Sequence, residues 1–276
     1  MSSLDKMLSI LGLFDEDTVA IHQEDAMEVT GGSRATTYRY IQALSKAGLL
    51  APATSGSYVL GTRIIELDRL VRRTDPLLAS ASVLIREASH RLKINIMLSS
   101  YYGDKVMCAD IVWPDKTIEE TYERGRPMPM FRGAMAKVIL ANLSPYQLRN
   151  LMLWHPNQIR SAGLGDNWEE FRTHMAKLRK DGFCVTQAEV VPGLVGVGAP
   201  VFDPDKRVLG SVVLVTTIKR YKGQACTILP REVVTLAQNV TNAVAKTYKK
   251  SGGFETARAA RPRKASFEAE SDTVSS

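Results

Sequence analysis

Cysteine and histidine are scarce in this chain of 276 residues, which has three of the one and four of the other. Cys108, Cys184 and Cys226 are odd in number and far apart, so neither a disulfide framework nor a CxxC metal site has a basis in the sequence. Packed, reduced thiols are the expectation. His22, His90, His155 and His174 show neither HxxxH nor HExxH spacing, and no metal or cofactor is predicted. Long apolar runs are missing too: none approaches the ~18 residues of a bilayer span. The opening Met1-Ser2-Ser3-Leu4-Asp5-Lys6 has no basic stretch leading into an apolar one. These absences predict a cytoplasmic protein without membrane contact. One further absence is local. Between Thr30 and Ile65 there is no acidic residue, while Arg34, Arg39, Lys46 and Arg63 all fall there.

What is present is ordinary for a folded protein: 45% hydrophobic and 24% charged residues exclude a wholly disordered or fibrous chain. At ~150 residues per domain, the length favours two domains. The net charge of +7 points to an anionic partner. Residues 1–75 contribute 8 Lys/Arg against 10 Asp/Glu, so the acid-free stretch is a basic surface inside a slightly acidic segment.

Ser2 followed by Asp5 reads as a capping box, and Leu4, Met7, Leu8, Leu11 and Phe14 then recur at helical spacing. A second short helix is expected from about His22 to Val29, with Ala26 and Val29 inward and Gly31-Gly32 ending it. Ser33 can cap a third, in which Thr37, Tyr40, Ile41 and Leu44 point inward. Gly48 stops that helix. Leu49-Leu50 and Tyr58-Val59-Leu60, separated by a turn-prone Pro52–Ser57, read as two short strands. Three helices and a hairpin over residues 1–61 make a winged helix-turn-helix. Residues 62–76 read as a linker helix carrying Ile64, Leu67, Leu70 and Val71, and broken at Asp75-Pro76.

Residues 77–250 mix strands and helices, so the second domain is predicted to be α+β with one antiparallel sheet. Its strands are expected at Ile94–Tyr102 and Lys105–Trp113, joined at Gly103-Asp104, then from Phe183, at Val195–Phe202 and at Arg207–Ile218. Helices are expected at 77–92, 133–142, 145–153 and 167–180, with a last one opened by Pro230. Residues 251–276 are rich in Ser, Ala, Glu and Arg and read as a disordered tail.

A helix-turn-helix reads DNA because its second helix fits the major groove while flanking groups hold phosphates. The candidate contacts are Ser33, Arg34, Ala35, Thr36, Thr37, Tyr38 and Arg39 on that helix, and Ser55 and Ser57 in the wing. Arginine can take guanine O6/N7 or a phosphate, and hydroxyls suit the backbone. A protein-binding adaptor is the rival for such a fold, and a small-molecule enzyme is the rival for the second domain. Nothing in the sequence supplies the nucleophile and base an enzyme would need. Gly193-Leu194-Val195-Gly196-Val197-Gly198 is not a phosphate loop, having neither GxGxxG spacing nor a following Lys-Ser/Thr.

Ser33–Arg39, Leu44, Gly48-Leu49 and Tyr58–Gly61 resemble the recognition helix and wing of the IclR family of bacterial transcriptional regulators. Gly125–Pro129 running to Ala134–Lys137 and Leu140-Ala141 is similar to that family's second domain, as are Leu178–Phe183, Glu189 with Gly193, and Ala199–Asp203. Together these blocks span about residues 4–248. The resemblance implies a dimerising linker helix, a GAF-like domain that binds a small effector, usually an organic acid, and a homodimer or dimer of dimers on operator DNA. It also implies an effector pocket lined by Met130, Ala134, Met135, Glu189, Val213 and Val215. Ala136 stands where the family usually has glycine, and Val213 and Val215 stand where some relatives have serine. An apolar pocket, flanked in sequence by Met97, Met107 and Met128 as well, points to an aromatic or longer-chain acid.

Overall fold

Ser2 and Asp5 make the expected capping box: Ser2 Oγ accepts from the Asp5 N–H at 3.1 Å, and the Asp5 carboxylate accepts from the Ser2 N–H at 3.1 Å. The helix it opens, α1 (Ser3–Ser9), tightens at once into a 3₁₀ turn over Ile10–Leu13. Met7, Leu11 and Phe14 of the expected stripe pack against the core of this unit. Ile10 is fully buried, whereas Leu4 and Leu8 are exposed. The structure is a computed structural model describing residues 2–102, 105–119, 122–222 and 225–250. The expected Gly103-Asp104 turn and the tail 251–276 lie outside the described residues. The chain divides into two compact units after Asp75.

In the first unit, α2 (Gln23–Thr30) ends at Gly31, whose φ of 58° lies in the left-handed region that glycine adopts without strain. It buries Ala26 and Thr30, while Val29 is exposed; inwardness at this end comes from a hydrogen-bonded threonine rather than the expected valine. α3 (Arg34–Lys46) is capped by Ser33 Oγ, which accepts from the Thr36 N–H at 3.3 Å, and it buries Thr37, Ile41 and Leu44. The wing is β1 (Leu50–Pro52) paired antiparallel with β2 (Tyr58–Leu60). Gly48 and Gly61 meet at its base, where a Cβ on Gly61 would lie 2.1 Å from the Gly48 carbonyl oxygen. Only glycine fits there. α4 (Arg63–Thr74) follows, stopped at Asp75, the extended residue that must precede Pro76.

The second unit begins with α5 (Pro76–Leu92), then β3 (Asn95–Tyr102), β4 (Lys105–Val112) and the two-residue β5 (Pro127–Met128). A helical block follows: α6 (Gly133–Ala141), α7 (Pro145–Trp154), α8 (Pro156–Ser161) and α9 (Trp168–Asp181). Strands β6 (Cys184–Gln187), β7 (Leu194–Phe202) and β8 (Val208–Thr217) precede a short α10 (Ile218–Tyr221) and the long α11 (Ala225–Lys250). Pro230 lies inside α11 rather than opening it. Near the helix start its missing N–H removes a single ladder bond, and the turn N-terminal to it still forms.

The six strands run β5-β4-β3-β8-β7-β6 and pair antiparallel throughout. The expected α+β architecture is therefore what the chain adopts. Side-chain alternation divides the core in two. Ile96, Leu98, Val197, Val212 and Leu214 face one layer with Leu77, Ile85, Val233 and Val240 of α5 and α11. Met97, Val213 and Val215 face the other, with α6, Phe171 and Met175. Between Phe202 and Val208 a buried carboxylate closes the hairpin: Asp203 accepts from the Arg207 backbone N–H and from Arg207 Nε, both at 2.8 Å.

Candidate functional sites

Two threonines set the angle between α2 and α3. Thr30 and Thr37 are both buried, their hydroxyls 3.3 Å apart, and Thr30 donates to the Ala26 carbonyl at 2.7 Å. Gly32 lies against them, since a Cβ there would sit 3.0 Å from Thr37 Oγ1 and 3.2 Å from Thr30 Oγ1. Gln23 Nε2 donates to the Arg34 carbonyl at 2.7 Å and ties the start of α2 to the start of α3. The opposite face of α3 is left to solvent: Ser33, Arg34, Ala35, Tyr38 and Arg39 are exposed and Thr36 is half-buried. The Arg34 and Arg39 guanidinium groups make no ion pair among the described residues. An exposed helix face carrying two arginines, with no carboxylate within its own stretch of sequence, can take phosphate and base edges.

Two expected contacts are corrected. Thr37 is fully buried and engaged with Thr30, so its hydroxyl does not face a ligand. Ser57 is buried as well and donates to the Thr54 carbonyl at 2.7 Å. Its role is to close the wing turn, whose exposed tip is Thr54, Ser55 and Gly56.

In the second unit a cavity of about 40 Å³ lies at the start of α6. Of the expected residues, Ala134, Met135, Glu189, Val213 and Val215 line it, joined by Met97 and Met128. Met130 does not: it lies beyond the end of the two-residue β5, where the strand alternation that aims Met128 no longer applies, and packs against the adjoining hydrophobic core. Met107, the neighbour of Pro127 across the sheet, is also outside the lining. Sequence reasoning missed Tyr122, Thr186, Val190 and Leu194.

Polar groups gather at one end of this cavity. The Gly133 N–H donates to Glu189 Oε2 at 3.0 Å, the Ala134 N–H to Thr186 Oγ1 at 3.0 Å, and Lys137 Nζ to Glu189 Oε1 at 2.7 Å. Lys137 is buried. It meets the cavity only through Glu189, whereas the exposed Arg132, preceding α6, lines the cavity itself and makes no ion pair among the described residues. The remaining walls are apolar. Gly196 and Gly198 of β7 let α6 approach the sheet: a Cβ on Gly198 would lie 3.0 Å from the Ala134 carbonyl oxygen. Beside them Ser211 Oγ donates to the Met135 carbonyl at 3.1 Å and is 2.7 Å from Ser99 Oγ, which fixes the first turn of α6 to the middle of the sheet.

Neither buried cysteine carries a reactive thiolate. Burial pushes Cys184, near Lys137 and Glu189, up to about 11, and does the same to Cys108. Burial, then Lys137 and Lys177, hold His174 below its usual value.

The family model for the bacterial transcriptional regulator IclR C-terminal domain matches residues 70–242, and that for the IclR helix-turn-helix domain matches residues 3–52. The chain belongs to the IclR family and is a DNA-binding transcriptional regulator. It is 23% identical to the HTH-type transcriptional regulator XynR of Escherichia coli over 80% of this chain and 88% of that protein. An IclR family transcriptional regulator from Brucella abortus shares the fold with a TM-score of 0.71 at 16% identity, over 88% of this chain and 92% of that one. An IclR homologue from Microbacterium hydrocarbonoxydans complexed with 4-hydroxybenzoate has a TM-score of 0.68 at 16% identity, over 88% and 99% of the two chains. No helix among the described residues is long and apolar enough to cross a membrane.

Proposed function

We propose that this regulator is controlled by a small organic acid, aromatic or medium-chain, bound in the α6 cavity, and that it reads its operator as a homodimer or a dimer of dimers. Residues 1–61 then form the DNA-reading domain, 62–76 the linker helix and 77–250 the effector domain. The observation that carries the effector reading is the cavity's polarity: methionine and valine walls, with the Gly133 and Ala134 backbone N–H groups and Arg132 at one end, and Lys137 bonded to the lining residue Glu189. Such a site suits an apolar body with one anionic head. The 4-hydroxybenzoate complex of the structurally similar Microbacterium protein supports the same chemistry. Dimerisation is supported by α4, none of whose residues is buried within the chain although Ile65, Leu67, Leu70 and Val71 are exposed apolar side chains. Arg34 and Arg39 are assigned to base and phosphate contacts respectively.

The test is selection of genomic fragments by the purified full-length protein at two salt concentrations, followed by release of the selected operator with acids of the neighbouring pathway. A salt-sensitive palindrome released by such an acid is expected, since phosphate contacts release counterions and two-fold protein symmetry is mirrored in the site. In the same assay Arg39→Ala lowers the salt slope by about one phosphate, and Arg34→Ala also relaxes base preference. A non-palindromic site indifferent to every acid refutes the reading.

A further inference from the structure

The anionic end of the effector cavity already holds a carboxylate, and it belongs to the chain. Glu189 takes the Gly133 N–H and the buried Lys137 ammonium that an effector acid would need. Two carboxylates sharing one buried ammonium and one amide repel each other, so an acid cannot simply bind beside Glu189. The cavity with Glu189 in place is also small. About 40 Å³ holds a few waters, against the roughly 150 Å³ of an apolar cavity that takes benzene.

Glu189 sits on the β6–β7 connection, which also lines the cavity through Val190 and Val191. Val190 lies over Gly133, where a Cβ would come within 2.8 Å of Val190 Cγ2. The connection leaves β6 through Ala188, a non-glycine residue at φ 53°, and reaches β7 through Gly193 at φ 80°. The left-handed turn at Ala188 is strained for a residue that carries a Cβ and persists only while something holds it. The Glu189 side chain is 31% exposed, so it has a path to water.

We infer that an effector carboxylate enters by exchange, taking the place of Glu189 on the Gly133 N–H and Lys137 while Glu189 moves to solvent and carries Val190 and Val191 off the cavity. Glu189 is thus the residue that sets which acids bind: an acid must outcompete a tethered carboxylate, and a neutral ligand gains nothing from that end of the site. The exchange conserves charge around Lys137, enlarges the cavity, and couples occupancy to the shape of the β6–β7 connection. It rests on the organic-acid reading above.

Calorimetry on the full-length protein tests it with hexanoate, benzoate and 4-hydroxybenzoate, each beside its primary amide. Glu189→Gln keeps size and removes the competing charge. The best acid then binds at least tenfold tighter than to wild type while its amide is unchanged. Glu189→Asp, too short to reach both partners, moves acid affinity in the same direction. Lys137→Met abolishes acid binding in either background. If acids bind wild type and Glu189→Gln leaves them unchanged or weakens them, or tightens acid and amide alike, the exchange is overturned while the organic-acid reading stands. If no acid binds wild type or Glu189→Gln, that reading fails and the exchange fails with it.

Discussion

Replacing Gly198 by alanine probes how closely the α6 cavity depends on the contact between α6 and the sheet. The added Cβ meets three atoms of one residue: the Ala134 carbonyl oxygen at 3.0 Å, its carbonyl carbon at 3.1 Å and its Cβ at 3.2 Å. Two of these are helix backbone, so no rotamer change relieves them, and the first turn of α6 must move by a few tenths of an ångström. That turn is also tied to Ser211 through Met135 and to Thr186 through Ala134. Overpacking of this kind costs about 1–3 kcal/mol. For a unit of this size each kcal/mol lowers Tm by about 2–4 °C. Gly196 is the internal control: a Cβ there meets its neighbours at 3.4–3.6 Å, ordinary contact distances, so Gly196→Ala stays within about 0.5 kcal/mol of wild type. Thermal unfolding followed by circular dichroism measures both. Operator affinity of Gly198→Ala in the absence of acid stays near wild type, because the substitution lies in the second compact unit. Equal Tm values for the two variants, or a larger loss at Gly196, would refute the close-contact argument.

Thr37→Val removes a buried hydroxyl pair and keeps the shape; stability falls by about 1 kcal/mol while the salt slope of DNA binding is unchanged, and a reduced slope would return Thr37 to the phosphate-contacting set. His174 is held below the unfolded-state value of 6.5, so its contribution to stability is complete above pH 6.5. As pH falls below 6.5 the unfolded chain takes up a proton that the folded one refuses, and stability drops; His174→Gln flattens this part of the profile in urea titrations between about pH 7.5 and 5.5. With Cys108 and Cys184 raised to about 11 and Cys226 exposed, iodoacetamide at about pH 8 labels only Cys226 in the folded protein and all three in urea. Modification of Cys184 in the folded protein, read by peptide mass, contradicts its burial.

Local signals in the sequence were dependable where one residue satisfies a neighbour. Ser2 and Ser33 cap the helices they precede, and Gly31 and Gly182 end theirs in the left-handed conformation. Assigning Thr37 both to the core and to DNA asked one side chain to face two ways. A helix allows one, and the pairing with Thr30 decides it. The first helix was legible in part: Met7, Leu11 and Phe14 of its apolar stripe pack against the core, while Leu4 and Leu8, one turn apart on α1, are exposed and Ile10 is buried instead. Five of the six expected cavity residues line the cavity, and the sixth, Met130, is two residues along from one that does. What no local pattern carried was long-range pairing. Glu189 meets Gly133 across 56 residues, and Ser99 meets Ser211 across 112. Each is an ordinary polar residue in its own stretch, and only the antiparallel order of the strands gives it a partner.

The six-stranded sheet ends on one side in β5, two residues long and beginning with a proline, and on the other in the four-residue β6. A strand arriving at the β5 edge would find almost no ladder to extend, and Pro127 has no N–H to offer it. Growth of the sheet from one molecule into the next is therefore discouraged by construction. In the proposed dimer, association falls instead to a helical face such as that of α4, where side chains rather than backbone select the partner.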